Sequence, residues 1–502
     1  MATRSALPAA IRAALPRLLA LALPLAGAVQ AQVPDADAAA AALQGYFSQC
    51  HAVHVCNGSV LVARDGKVLY AAAFGDAGAA GQGPLTTAHA FDIGSISKQF
   101  TAAAILRLAE RGKLRLDDAV ADHLPGFPYP RMTLRQLLNH TSGVPDVMAH
   151  YTQVLRGGKF TAPLLAADAV QVLATSGKAP KSAPGERFEY SNTGYLLLAQ
   201  VVAHVSGQPF ATFLQREFFE PLGMSHTRVR MPDNETGIAP RAYGFTLTSD
   251  GQRRPQDQIP GFYMLGAGGI YSTTGDLLLW SKALRQGKAM SADGWREATT
   301  LLRLNDGSSV PYGFGLGLRT SPLQQPRIEH GGHWRAFKAD LARFPSQDSD
   351  VVLLSNNGED DSVDAARDAV EAILAGKPYQ PVKEPIDWPL RERLQRDDAE
   401  TLRRWLDAQR NAKPARYDVP ENRLNDIGYR LIEAKQIDKA LAVMRFNQEA
   451  HPDSMNALDS LADAYLAAGD RDAAIAQAKR MLALKPESRA AQDKLEALVE
   501  GR

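Results

Sequence analysis

The chain has 502 residues, 45% hydrophobic and 22% charged, a composition typical of soluble globular proteins and a length that predicts two or three domains. Its 56 Lys and Arg residues are balanced by 55 Asp and Glu residues, which leaves a formal net charge of +1. A nearly neutral chain lacks the excess of positive charge that binds a polyanion, so the composition argues against nucleic acid as a partner.

Residues 1–31 have the features of a secretory signal peptide. Arg4, Arg12 and Arg17 precede the apolar segment 18–29, and small residues follow it where cleavage would occur. The apolar segment is about twelve residues long, well short of the roughly twenty that a membrane-spanning helix needs. We therefore expect a periplasmic or secreted mature protein without stable membrane insertion.

Two cysteines, Cys50 and Cys56, lie just ahead of the first predicted strand. In an oxidising compartment they can close a short disulfide loop, because exported proteins keep such bonds. Two free, buried thiols are the alternative that the spacing leaves open.

Alternating apolar residues over 58–74, interrupted at Asp65-Gly66, predict a β-hairpin. Apolar periodicity predicts the remaining elements of this part of the chain. The predicted helices are residues 96–111, 134–138, 166–173, 194–204 and 364–374. The predicted strands are residues 312–318, 339–344 and 351–355.

Strands therefore open and close this region, and helices occupy its middle. That order predicts an α+β fold, in which both ends of the domain complete one antiparallel sheet flanked by helices and a helical subdomain lies between them. We place this domain at residues 39–375.

Residues 376–420 and 421–502 form the rest of the chain. Four prolines in 376–389 predict an extended connector. Residues 397–409 predict a helix; either this helix caps the stack of the tail, or the tail leans on the first domain. Beyond it the chain repeats with a period of 34, and the matched positions are Leu424 with Leu458, Gly428 with Ala462, Leu431 with Tyr465, Ala440 with Ala474, and Pro452 with Pro486.

This period resembles the tetratricopeptide repeat, which implies two helical hairpins and a closing helix at residues 488–498. Such repeats often present a surface for a protein partner, but a stabilising appendage has the same pattern. The sequence leaves both interpretations open.

Ser95 and Lys98 form a Ser-x-x-Lys motif at the start of the predicted helix 96–111. A separation of three places the amine one helical turn from the hydroxyl. A serine hydroxyl is a weak nucleophile unless a neighbour accepts its proton, which a lysine with a lowered pKa can do. Taken alone the motif is weak, because a surface helix with an ordinary cap looks the same.

Tyr190-Ser191-Asn192 precedes the predicted helix 194–204. A phenol near a cation can relay a proton, and an Asn amide can orient the lysine and a substrate carbonyl. The alternative is a packed tyrosine beside a helix-capping asparagine.

His330-Gly331-Gly332 precedes the predicted strand 339–344. Paired glycines let a substrate backbone approach a strand edge, and the amides of His333 and Ser95 can act together as oxyanion donors. His330 is a candidate for binding a substrate carboxylate or assisting proton transfer. A metal site through His330 and His333 is the competing idea, but neither a helix nor a glutamate accompanies the pair.

Taken together, the three motifs in this order resemble the superfamily of serine β-lactamases, DD-peptidases and esterases, and most closely the class C β-lactamases and low-molecular-mass penicillin-binding proteins. The segments that carry the resemblance include FDIGSISKQFTAAAILRLAERGKLRLDD, LRQLLNHTSGVPD, FEYSNTGYLLLAQVV, GAGGIYSTTGDLLLWSKAL and YGFGLGL. The resemblance extends over residues 39–374.

The resemblance implies that Ser95 attacks an amide, ester or lactam carbonyl and forms an acyl-enzyme. Lys98 and Tyr190 would move protons, and Asn192 would hold the acyl side chain. Neither a metal nor an organic cofactor is implied.

One position departs from the class C pattern, in which a lysine stands where this chain has His330. Because histidine is familiar there in DD-peptidases and esterase-like members, the departure favours D-amino-acid peptides or esters over efficient β-lactam hydrolysis. The alternative from another class of function is a non-catalytic receptor for cell-wall peptides or β-lactams that recruits a partner through the repeats. A pure receptor would not need both Lys98 and Tyr190.

Overall fold

A computed structural model describes residues 33–79, 81–157, 168–235, 237–248, 252–359, 362–413 and 415–500. The predicted signal peptide at residues 1–31 lies outside the described residues. Within the described ranges, no helix combines the length and the apolar character that crossing a membrane requires.

The strands of the described chain are β1 (Gly58–Arg64), β2 (Lys67–Phe74), β3 (Phe91–Asp92), β4 (Arg228–Val229), β5 (Phe245–Leu247), β6 (Arg253–Pro255), β7 (Ile270–Ser272), β8 (Leu302–Arg303), β9 (Ser309–Val310), β10 (Gly317–Thr320), β11 (Pro326–Trp334), β12 (Phe337–Phe344) and β13 (Ser349–Ser355).

The helices before the tail are α1 (Ala36–Ala52), α2 (Ser97–Glu110), α3 (Val120–His123), α4 (Leu134–Leu138), α5 (Met148–Gly157), α6 (Ala169–Ser176), α7 (Asn192–Ser206), α8 (Phe210–Leu214), α9 (Thr274–Arg285), α10 (Ala292–Ala298) and α11 (Val363–Leu374). Those of the tail are α12 (Asp387–Arg396), α13 (Ala399–Asn411), α14 (Glu421–Glu433), α15 (Ile437–Ala450), α16 (Met455–Ala467), α17 (Arg471–Leu484) and α18 (Arg489–Glu500). A 3₁₀ turn at Gly94–Ile96 leads into α2.

A six-stranded antiparallel sheet organises the first domain, in the order β10-β11-β12-β13-β1-β2. The amino-terminal hairpin joins the carboxyl-terminal strands where β1 pairs with β13, with Val62 opposite Val351. Both ends of the domain complete one sheet, and the predicted α+β fold is confirmed.

Helices cover both faces of this sheet, which explains why β1 is apolar almost throughout. Along β1, Val60 and Val62 pack with α1 and α11, whereas Leu61 and Ala63 belong to the core that contains α2, α7 and α9. Successive strand residues point to opposite faces, so a strand between two helical layers needs apolar side chains at nearly every position.

Two predicted strand boundaries were wrong near the site. Strand β10 begins at Gly317, not at Tyr312, because Gly313 donates to the Leu316 carbonyl at 2.8 Å and bends residues 312–316 into a turn. All five residues of this turn are buried, as those of a central strand would be. The motif His330-Gly331-Gly332 lies within β11 and does not precede a strand.

The predicted connector 376–389 was too long, since α12 already begins at Asp387. Pro389 lies in the first turn of that helix, where a missing N–H removes no intrahelical hydrogen bond. Cys50 and Cys56 are joined in a disulfide between α1 and β1.

The tail is a stack of antiparallel helices that contacts the first domain. Helix α13 packs against α15, and on α12 the ring of Trp388 lies 4.4 Å from that of His54. Arg391, also on α12, donates a hydrogen bond to the carbonyl of Thr248. Helix α13 therefore packs on the helical stack of the tail, and the tail also contacts the first domain. The likeness of the tail to tetratricopeptide repeats stays a prediction.

Candidate active site

Ser95 lies in the 3₁₀ turn that leads into α2, just ahead of the helix predicted at 96–111. Gly94 precedes it with a φ of +50°, and its N–H donates to Asp92 Oδ1 at 2.8 Å. A Cβ at Gly94 would lie 2.6 Å from the backbone nitrogen of His333. Glycine therefore lets the turn approach β11 and place Ser95 beside that strand.

Lys98 points from α2 towards Ser95 and is fully buried. Its Nζ donates to Ser95 Oγ at 3.0 Å, to Asn192 Oδ1 at 2.8 Å and to the Ala267 carbonyl at 2.8 Å. Burial without a carboxylate partner disfavours the charged form, which lowers the pKa of Lys98 to about 7.

The neutral form of Lys98 suits an acceptor of the serine proton. An uncharged amine has two N–H groups and one lone pair, and neither Asn192 Oδ1 nor the Ala267 carbonyl can donate a hydrogen bond. These two oxygens hold the two N–H groups, so the lone pair is left for the hydroxyl of Ser95.

Tyr190 completes this group from the segment before α7. Tyr190 is 42% exposed, but its hydroxyl end lies in the cleft, where it is hydrogen-bonded with Ser95. Loss of hydration at that end has the larger effect and raises the pKa of Tyr190 to about 12. Its ring centroid lies 4.9 Å from Lys98 Nζ. The phenol therefore stays protonated at neutral pH and is placed to pass a proton.

Asn192 is the first residue of α7, and Ser191 is the residue that caps it, by accepting from Gly194 N–H at 3.3 Å. Asn192 therefore does not cap the helix. It holds Lys98 with its Oδ1 and lines the cleft beside Ser95.

Gly332 lets β11 approach the serine turn closely. A Cβ at this position would lie 2.0 Å from the Ile93 carbonyl oxygen and 3.2 Å from the Ser95 nitrogen. The next amide along the strand, that of His333, adjoins Gly94. The amides of Ser95 and His333 thus lie at the same point of the cleft, as a pair of oxyanion donors would require.

The hydrogen bonds around His330 fix its tautomer and that of His140. His140 Nδ1 accepts from the Ser191 N–H at 3.1 Å, so its Nε2 carries the hydrogen and faces the Tyr312 hydroxyl at 3.2 Å. The Tyr312 hydroxyl then donates to His330 Nε2 at 2.9 Å, and His330 Nδ1 donates to the Gly331 carbonyl at 2.6 Å.

His330 is consequently a neutral, fully engaged imidazole. Burial, reinforced by the charge of Lys98, lowers the pKa of His330 to about 4. An uncharged ring with both nitrogens bonded within the protein offers no ionic attraction to a substrate carboxylate.

His333 is exposed and lies on the other face of β11 from His330, because the two are three residues apart on a strand. Its Nε2 faces the Arg335 carbonyl at 3.2 Å. The two imidazoles do not converge, which argues against the metal alternative. No cluster of three or more His, Cys, Asp or Glu side chains suited to a metal occurs in the part of the chain that the structure describes.

Ser95 lies between two cavities, one of about 230 Å³ and one of about 510 Å³. The smaller is lined on one side by Trp334 and Gln258, and Trp334 Nε1 donates to Gln258 Oε1 at 2.8 Å. Gln258 Nε2 in turn donates to Asp92 Oδ2 at 2.9 Å. Sequence reasoning missed Gln258, since a lone glutamine in a loop carries no local signal.

The antiparallel sheet, the helical insertion and a serine held by a buried lysine define the class as a serine hydrolase of the penicillin-recognising type. A sequence model of the family described as Beta-lactamase matches residues 43–375. The chain belongs to the β-lactamase family, and it is a serine hydrolase that acts through an acyl-enzyme.

Two relatives and one solved structure illustrate the similarity. Penicillin-binding protein 4* of Bacillus subtilis (strain 168) is 35% identical over 355 residues, which cover 69% of this chain and 78% of the relative. A D-aminopeptidase of Gluconobacter oxydans (strain 621H) is 27% identical over 327 residues, covering 64% of this chain and 60% of the relative. The octameric penicillin-binding protein homologue from Pyrococcus abyssi is 26% identical, with a TM-score of 0.59 over 71% of this chain and 80% of that one.

Acylation of Ser95 should accelerate as the pH rises through about 7, because Lys98 gains its lone pair when it loses a proton at its lowered pKa. The second-order rate of labelling by a fluorophosphonate, measured from pH 5 to 9, tests this. Lys98→Arg keeps the cation but cannot lose a proton, so its rate should not rise with pH and should be roughly a thousandfold lower than that of the wild-type protein at pH 9. A flat profile for the wild-type protein would contradict this role.

Tyr312→Phe should lower kcat/KM by roughly five- to thirtyfold, since it breaks the chain between His140 and His330 and costs about 1–2 kcal/mol of positioning. Tyr129→Phe is a matched control, because its hydroxyl donates to the Lys178 carbonyl at 2.8 Å, away from Ser95. Its kcat/KM should be unchanged. An equal loss of kcat/KM in the two variants would mean that the hydrogen bonds linking His140, Tyr312 and His330 have no specific role.

Proposed function

We propose that this protein is an exported serine hydrolase that uses Ser95 to cleave amides or esters of D-amino acids that carry a free amino group. The observation that carries the proposal is the contact of 3.0 Å between Lys98 Nζ and Ser95 Oγ, with the other two Lys98 contacts made by acceptors.

In acylation, Lys98 accepts the proton of Ser95 as the hydroxyl oxygen bonds to the substrate carbonyl carbon. The amides of Ser95 and His333 stabilise the oxyanion of the tetrahedral intermediate. Tyr190, hydrogen-bonded with Ser95, gives its proton to the leaving amine or alcohol as the bond of that group to carbon breaks, and takes up the proton held by Lys98. In deacylation water attacks the acyl carbon and gives one proton to the same groups, which pass it to Ser95 Oγ as the ester bond breaks and the acid is released.

The substrate side of the proposal rests on charge. Neutral His330 supplies no cation for the carboxylate of a lactam or of a carboxyl-terminal D-residue. Arg230, which lines the smaller cavity, is already bound to Glu235 at 2.7 Å and to the carbonyls of Phe262 and Ile259. Both Nη atoms of Arg230 are thus occupied, and only its Nε lacks a hydrogen-bond partner. A carboxylate in this cavity would therefore not find the paired guanidinium contact that binds it strongly.

Asp146 is the acidic side chain that lines the same cavity. It is exposed and forms no ion pair with a described residue, and its Oδ1 accepts from the Met148 N–H at 2.7 Å at the start of α5. An exposed carboxylate at the mouth of the cavity attracts an ammonium group. The D-aminopeptidase relative agrees with an amine-bearing substrate.

Export and a separate tail belong to the same proposal. A signal peptide at residues 1–31 agrees with the disulfide between Cys50 and Cys56, because such bonds persist in oxidising compartments. We divide the mature chain into a hydrolase domain at 39–375, a connector with a capping helix at 376–420, and tetratricopeptide-like repeats at 421–502 that could dock a protein partner.

Ser95→Ala should lose at least about a thousandfold in turnover of any working substrate, since the attacking hydroxyl is removed. Nitrocefin, a p-nitrophenyl ester and D-alanine p-nitroanilide should be compared, and we expect the D-alanine compound to be cleaved faster than nitrocefin. Full turnover by the alanine variant would refute Ser95 as nucleophile. Binding without turnover by the wild-type protein would favour a receptor.

Asp146→Asn should reduce kcat/KM for D-alanine p-nitroanilide by roughly tenfold, since a neutral amide keeps the Oδ1 contact but loses attraction for the ammonium. The N-acetylated substrate has no ammonium, so its slower cleavage should not change. Asp472→Asn, an exposed acid in α17, is the control for a general charge effect. Equal effects on the free and acetylated substrates would contradict the assignment of Asp146.

A further inference from the structure

A second polar cavity lies in the tail, apart from Ser95. Its volume is about 700 Å³, and it is bounded by α12, the start of α13, the end of α14 and the start of α15. Leu394, Ile427 and Ile437 give it a partly apolar wall, and basic side chains supply much of the rest. This volume falls in the range of sites for small organic molecules, which is roughly 300–1,000 Å³.

The cavity has an excess of positive charge. Four basic and two acidic side chains line it. Two of the basic groups already have partners, because Lys439 Nζ donates to the Leu394 carbonyl at 2.8 Å and Arg391 Nη2 donates to Asp387 at 3.2 Å. Arg430 and the exposed Lys435 contribute the remaining two charges.

Arg430 is the unusual member of this group. Its Nε and Nη2 are shielded from solvent yet have no hydrogen-bond partner, and it forms no ion pair with a described residue. Asp426, one helical turn earlier, attracts it electrostatically but does not bond to it. Arg430 is half-buried. Two shielded guanidinium nitrogens without partners are costly, and an anion that accepts their hydrogen bonds would remove that cost.

Two independent features point to the same ligand chemistry. Arg391 lines the cavity and is 2% exposed, and its Nε also lacks a hydrogen-bond partner. Helix α15 begins at this cavity, and its N-cap residue Gln436 makes no side-chain capping bond. The first N–H groups of α15 therefore add partial positive charge.

We propose that this cavity, which we name the tail cavity, binds a small organic anion, with a carboxylate or phosphate group on Arg430 and a partly apolar body against Leu394, Ile427 and Ile437. Guanidinium N–H groups match the paired oxygens of both anions. The proposal is independent of the chemistry at Ser95, because its residues lie on the tail helices.

Phenyl phosphate and benzoate are suitable probes, since they share an apolar ring and differ in the anionic group. Isothermal titration of the purified full-length protein, with sodium chloride at equal ionic strength as the reference, should show saturable binding of at least one probe. Preference between the two identifies the anionic group. Absence of binding by both probes would overturn the proposal.

Arg430→Gln should weaken binding of that probe at least tenfold, whereas Lys479→Gln, an exposed lysine on α17 outside the cavity, should bind it as the wild-type protein does. Thermal unfolding without the probe separates binding from a structural role. Removing an unpaired cation should leave Tm unchanged or raise it. A lower Tm for Arg430→Gln, or unchanged binding, would show that Arg430 serves the fold and would overturn the assignment.

Discussion

The burial of one amine determines the chemistry of this protein. Lys98 is enclosed among neutral acceptors and forms no ion pair with a described carboxylate, so nothing offsets the loss of hydration of its charged form. Its lowered pKa suits it to accept the Ser95 proton. His140 and His330 are neutral mainly because they are buried themselves, and the charge of Lys98 lowers the pKa of each further.

The active-site side chains are held together because the backbone segments that carry them approach one another closely. The serine turn, β11 and the segment before α7 come from distant parts of the chain, and Gly94 and Gly332 let the first two meet. The loop of Ala267 is tied to α2 where Thr101 Oγ1 donates to the Gly266 carbonyl at 2.8 Å. Rigid contacts of this kind hold proton carriers within reach of one another, which transfer requires.

Much of the fold was predictable from local pattern, because the hairpin at 58–74 and the helices after Ser95 have clear periodicity. The exact ends of the strands were harder to predict. Residues 312–316 are buried as a strand would be, but a local hydrogen bond from Gly313 to the Leu316 carbonyl and a distant one from Phe314 to the Ala298 carbonyl hold them in a turn. Ser95, Lys98, Tyr190 and His330 were found as motifs, whereas Gln258 and the linking role of Tyr312 depend on contacts between segments far apart in sequence.

The most direct test of this account is a titration of Lys98 itself. Protein labelled with ¹³C at the lysine ε-carbon should be followed by NMR from pH 5 to 11, with Lys98→Arg used to assign the signal. We expect Lys98 to titrate with a pKa of about 7. A midpoint near the ordinary lysine value of about 10.4 would contradict it, since Lys98 would then be charged whenever Ser95 has to lose its proton.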